Sequence, residues 1–225
     1  MFESKYSKVL TIILIIVIVA IVALLGFLAY DFIKKSNTTK QASDFVENYI
    51  GDINTGEQNS TGSTGEENVT LDANEIEINT SSGSSSSNKK KYQGYTVAGT
   101  MKIPAINLNY PIVEEITTHS LETALVVLYP NGDNLNQPGN TVVIGHNYRN
   151  GTFFSNLKKL SNGAKIYVTD FRGTTITYEV YNIFEASSTD TSFYSRDTNG
   201  LAELTLSTCT DASNDQRTII FAKQV

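Results

Sequence analysis

Apolar and polar positions along the chain fall into three textures. Between Val9 and Tyr30 the run VLTIILIIVIVAIVALLGFLAY is unbroken by charge. At about 1.5 Å rise per residue, a helix needs roughly 20 such residues to cross the hydrocarbon core of a bilayer, so this run predicts one membrane-spanning helix. Between about Ser36 and Lys91 the chain turns polar, with NTGEQNSTGSTGEEN and NTSSGSSSSNKKK and few aromatics. Such a composition buries too little apolar surface to offset the entropy of ordering. It predicts a flexible linker, with KQASDFVENYI continuing the preceding helix for a few turns. From Tyr92 onward short β-rich runs recur: YTVAGTMKIPAI, NYPIVEEI, NTVVIGH, AKIYVTDF, TTITYEVYNIFEA, LAELTLSTC and RTIIFAK, separated by turn clusters such as YPNGDNLNQPGN, YRNG and KLSNGA.

Within TTITYEVYNIF the alternation places Ile176, Tyr178, Val180 and Asn182 on one face and Thr177, Glu179, Tyr181 and Ile183 on the other. Only SLETALVVL and GTFFSNLKKL read as helices, both short. About seven or eight short strands predict a mainly β fold, a compact barrel or sandwich. The expected organisation is residues 1–35 as a cytoplasmic tip and anchor, 36–91 as the linker, and 92–225 as the folded domain.

A cleaved signal peptide is the alternative to an anchor. Such peptides have apolar regions of about 7–15 residues and end in a small-residue cleavage site. This run is longer and passes into DFIKK without one, which favours a retained anchor. Lys5 and Lys8 precede the span and Lys34 and Lys35 follow it, so the positive-inside bias is nearly balanced. The linker and domain texture after the span set the expected orientation: N-terminus inside, domain outside. The formal net charge of −6 and the absence of clustered Lys and Arg exclude a nucleic-acid footprint. NKKK (Asn88 to Lys91) reads as a solvated flank of the linker.

Charge and compartment make the cysteine count informative. Cys209 is the only cysteine, so it forms no internal disulfide, and a lone thiol outside the cell invites oxidation. On its own it also reads as a small buried hydrophobe. His146 ends NTVVIGH, Cys209 ends ELTLSTC, and Arg217 opens RTIIFAK. If the last two strands pair, the loop TDASNDQ brings Cys209 and Arg217 to one end of the barrel, where His146 can join them. A thiol of pKa about 8.5 is only a few per cent ionised at neutral pH, and a neighbouring imidazole and guanidinium favour its thiolate. Histidine can protonate a leaving amine and then deprotonate an incoming one, and arginine can hold a carbonyl or an oxyanion. Taken singly, His146 also reads as structural and Arg217 as a solvated edge charge. His119 reads as structural, and Glu114 and Glu115, adjacent on a strand, point to opposite sides. No metal site and no cofactor are expected.

These residues resemble a known family. TLSTC (Thr205 to Cys209) resembles the TLxTC signature of sortases, the membrane-anchored cysteine transpeptidases of Gram-positive surfaces. VVIGHN resembles the strand end carrying their histidine, Arg217 falls where their arginine follows in the next strand, and GTMKIPAINLNYPIV is similar to their early strands. The resemblance implies a closed eight-stranded β-barrel and a two-step transpeptidation. Cys209 would attack an LPxTG-like sorting signal of a secreted protein and form a thioester, with His146 as general acid and then base. Arg217 would position the substrate and stabilise the oxyanion, Thr208 would help bind substrate or oxyanion, and the acceptor would be a cell-wall precursor amine. The serine in TLSTC and the segment GHNYRNGTFFSNL look like class B, but the stretch between YNIFEA and LAELTLSTC is too short for the long helix class B inserts there. Class C enzymes carry a DP-aromatic lid motif and a second membrane segment, neither of which is read here. A class B-like or D/E-like anchoring enzyme is the expectation. Two rival readings stand beside it: a cysteine peptidase using water as acceptor, and an anchored domain that only binds.

Overall fold

The computed structural model describes residues 3–58, 89–129, 134–210 and 213–225. It divides into two compact units, Met1–Gln41 and Ala42–Val225. The first unit is helical and belongs to α1 (Glu3–Gln58). Its large apolar side chains, from Val9 through Ile33, are exposed. By length and composition α1 is able to cross a membrane.

In the second unit the strands are β1 (Lys91–Tyr92), β2 (Tyr95–Ile103), β3 (Leu108–Val113), β4 (Leu125–Leu128), β5 (Gly139–Ile144), β6 (Lys165–Asp170), β7 (Thr175–Ser187), β8 (Ala202–Cys209) and β9 (Gln216–Gln224). Eight of them close a barrel in the order β2-β3-β4-β5-β8-β9-β7-β6, with β6 returning to β2; β1 forms a hairpin on β2. Closure leaves the barrel without an open edge. The β3–β4 and β5–β8 pairs are parallel and the other pairs antiparallel. Met101, Leu125, Val143, Phe154, Leu204 and Ile220 are among the residues filling the interior.

A second apolar cluster lies outside that interior. Tyr92, Val97, Val113, Ala124 and Val126 turn away from the barrel core and pack with Phe45, Tyr49 and Ile53 of α1. The Phe45 ring sits 4.8 Å from that of Tyr92 and 5.7 Å from that of Tyr49, centroid to centroid. Of the linker expected over 36–91, residues 59–88 lie outside the described residues, and residues 36–58 are helical. Ala42, Phe45, Val46, Tyr49 and Ile53 recur at intervals of three and four, the spacing that lays one apolar stripe along a helix. That stripe docks on the barrel, so this part of the expected linker belongs to the folded unit.

This covering also explains a helix read in the wrong place. SLETALVVL was expected as helical, yet α2 covers only Thr118–Leu121 and LVVL is β4. Leu125 and Val127 face the barrel interior while Ala124 and Val126 face the outer cluster. A strand buried on both faces loses its alternation and reads as a continuous apolar run. In GTFFSNLKKL the helical content is one 3₁₀ turn, Leu157–Lys159. Along β7 the expected alternation holds through Tyr178 and Val180, which are buried, and then slips. A register shift between Val180 and Asn182 leaves Asn182 exposed and packs Ile183 against the core. One inserted residue inverts the phase of all that follow.

Candidate active site

β5 and β8 run parallel and in register from Gly139↔Ala202 to Ile144↔Ser207, so both strands leave the sheet at the same end. His146 follows β5 by two residues and Cys209 closes β8. The intervening Gly145 is squeezed: a Cβ there would lie 2.7 Å from Leu125 Cδ2 and 2.8 Å from Phe154 Cδ2. Any side chain there would force Leu125, Phe154 or the loop itself to shift. Beyond that point the loop is held by the Phe154 amide, which donates to the His146 carbonyl at 3.0 Å.

His146 and Cys209 line one cavity of about 340 Å³, together with Asn147, Tyr148, Arg149 and Asn214. Cys209 is a free, half-buried thiol. The Tyr148 ring stacks on the His146 imidazole at 4.7 Å and meets Phe153 edge-on at 5.7 Å, which fixes the outer wall. Burial holds the His146 imidazole below its ordinary value, against an opposing pull from the Glu122 carboxylate. Burial therefore favours the neutral ring, the form able to take a proton from a thiol.

Register places Arg217 directly opposite Cys209 on β9, so their side chains share a face of the hairpin. The guanidinium folds back on its own turn, with Nη1 donating to the carbonyls of Asn214 at 2.9 Å and Gln216 at 3.3 Å. Arg217 is thus beside the cavity without lining it. Thr208, expected to touch substrate or oxyanion, is buried, and its hydroxyl donates to the Gly145 carbonyl at 2.6 Å. Its side chain is committed to the neighbouring strand end, because residues on β8 alternate and Cys209 takes the opposite face. His119 accepts or donates at Nδ1 with the Tyr95 hydroxyl at 2.7 Å. Glu114 pairs with Lys89, while Glu115 accepts from the Thr96 amide and hydroxyl, so the two carboxylates have separate partners.

The decisive comparison is with protein families: the sortase domain model matches residues 101–225. The chain belongs to the sortase family. Among solved structures, sortase A from Corynebacterium diphtheriae is similar at 32% sequence identity and a TM-score of 0.52, over 58% of this chain and 61% of that one. Sortase C-1 from Actinomyces oris is similar at 28% identity and a TM-score of 0.52, over 56% of this chain and 72% of that one. The Clostridium perfringens sortase D5 transpeptidase is similar at 27% identity and a TM-score of 0.52, over 58% of this chain and 79% of that one. The matched part covers less than two thirds of the C. diphtheriae enzyme. No curated protein matches the chain. The three structures carry different class letters, so the likeness extends across subclasses rather than selecting one.

Four cavity residues of this sortase escaped the sequence reading: Asn147, Tyr148, Arg149 and Asn214. Three of them directly follow His146, so their neighbourhood was legible even though their orientation was not. Arg149 and Asn214 adopt left-handed backbone conformations, φ 56° and 61°. Such turns are set by local hydrogen bonds that no hydrophobic pattern records.

The state of His146 gives a first testable expectation. Its ring proton, followed by NMR, should titrate below the ordinary imidazole value of about 6.5, and Glu122→Gln should lower that midpoint further by removing the opposing carboxylate. The sign for stability follows. Because the native value is depressed, the contribution of His146 to stability is fully present above about pH 6.5 and is lost as pH falls through the native value.

Proposed function

We propose that this sortase is a membrane-anchored transpeptidase that cleaves an LPxTG-like sorting signal of secreted proteins and transfers it to a cell-wall amine. The observation that carries this reading is the single cavity shared by Cys209 and His146 in a sortase domain. Cys209 loses its proton to the neutral His146 ring and its sulfur attacks the carbonyl carbon of the scissile peptide bond. His146, now protonated, gives that proton to the departing amine as the C–N bond breaks, leaving a thioester on Cys209. An incoming amine then loses a proton to His146, attacks the thioester and forms a new amide, and the thiol is released. Arg217, opposite the nucleophile, swings from its turn carbonyls to the substrate carbonyl and its developing negative charge. No cofactor enters this sequence. α1 holds the enzyme in the membrane, with the N-terminus inside and the barrel outside where secreted substrates pass. The organisation is an anchor over 1–35, a tether whose helical end is docked on the barrel, and a catalytic domain over 92–225.

The test separates transfer from hydrolysis. The chain in detergent is incubated with LPxTG- and NPxTN-type peptides with and without an amine acceptor, and products are resolved by mass spectrometry. Transpeptidation predicts an amide to the added amine at the expense of free acid. Free acid alone, unchanged by amine, would make the protein a peptidase. No product and an unreactive Cys209 would leave an anchored binding domain.

A further inference from the structure

The backbone ladder between β5 and β8 stops short of both reacting side chains. Its last full pair is Ile144↔Ser207, followed by one longer bond from the Gly145 amide to the Ser207 carbonyl at 3.3 Å. His146 and Cys209 both lie beyond it. Two side chains continue the lacing: Thr208 Oγ1 donates to the Gly145 carbonyl at 2.6 Å, and Asn147 Nδ2 donates to the carbonyl of Cys209 itself at 2.8 Å. The same Asn147 side chain accepts the Arg149 amide at Oδ1, 3.1 Å away. One planar amide thus grips the nucleophile's backbone with its donor and closes the turn after His146 with its acceptor. A carboxamide offers a donor and an acceptor on one carbon in a single rigid plane, which suits these two bonds. Asn147 also lines the cavity together with His146 and Cys209.

We infer that Asn147 is a positioning residue of this site, acting through the Cys209 carbonyl and the His146 turn to hold the imidazole at the thiol. The inference rests on the proposed Cys209–His146 pairing. It does not require Asn147 to touch the substrate, and it separates the two bonds chemically. Asn147→Asp keeps the acceptor for Arg149 but replaces the donor to Cys209 with an oxygen that repels the carbonyl. Asn147→Ala removes both.

The experiment compares wild type, Asn147→Asp, Asn147→Ala and His146→Ala, as full chains in detergent. Each is read by iodoacetamide alkylation of Cys209 at neutral pH, by kcat and KM on the best sorting peptide, and by thermal midpoint. Wild type should alkylate several-fold faster than His146→Ala, and Asn147→Asp should fall to the His146→Ala rate. Its kcat should drop about 10- to 100-fold, the scale set by small misplacement of reacting groups, with KM nearly unchanged and a thermal midpoint near that of wild type. An Asn147→Asp variant that alkylates and turns over like wild type, while His146→Ala is slow, would overturn the positioning role and leave the pairing intact. A loss that tracks a collapsed thermal midpoint would also overturn it, making Asn147 a stability residue. Equal alkylation in all four would overturn the pairing and the positioning role together.

Discussion

Cys209→Ala should abolish turnover of sorting peptides to below detection while the barrel folds as before. The thiol is half-buried at the end of β8, and removing one sulfur from a site that opens into a cavity leaves no sealed void. The thermal midpoint should therefore stay within a few degrees of wild type, since deleted groups cost most where the surroundings are closed. Cys209→Ser is the sharper variant. It keeps the size and the hydrogen-bonding capacity but loses the acidity of a thiol, so it should be inactive too. Retained cleavage by either variant, measured by peptide chromatography, would show that the chemistry lies elsewhere. An equally large loss in His146→Ala, without additivity in the double variant, would show that the two residues act as one unit.

The second large effect concerns stability, and it lies far from the cysteine. Tyr49→Ala should destabilise the folded unit by about 3 kcal/mol, the usual scale for truncating a buried aromatic. Tyr49 is only 3% exposed and packs in the cluster with Tyr92, Val97 and Val126. At that scale the thermal midpoint falls by about 10 °C for a unit of this size. A chain beginning at Tyr92 should behave worse still. It would present the apolar outer face of β2, β3 and β4 to water and bind a hydrophobic dye, whereas one beginning at Ala42 should not. Equal stability and equal dye binding for the two would show that residues 42–53 are a spacer rather than part of the fold.

That docked helix also marks where the sequence was least legible. Its stripe of Ala42, Phe45, Val46, Tyr49 and Ile53 sits inside a polar stretch, and averaging over the stretch hid a periodicity that was present in the residues. The same omission misread SLETALVVL, because β4 is buried on both faces only if something covers it from outside. The barrel strands were plainer. Turn clusters bounded them, and alternation was visible wherever one face met solvent, until the bulge at Tyr181 reversed it. For the site, residue types and strand ends were enough to bring forward His146, Cys209 and Arg217 as candidates, because parallel and antiparallel pairing puts those ends together. For Thr208 side-chain direction was not legible: on β8 its hydroxyl donates to the Gly145 carbonyl, and the residue does not line the cavity. Asn147 was not legible because its side chain bonds across the fold to the Cys209 carbonyl, 62 residues away, as well as within its own turn to Arg149.

The most direct test of the whole account is the intact mass of the protein after brief exposure to a sorting peptide in the absence of amine. The expected result is an added mass equal to the acyl fragment, mapped to Cys209, absent in Cys209→Ala and discharged as an amide when amine is supplied. Cleaved peptide with no adduct on Cys209, under conditions that trap thioesters, would contradict it.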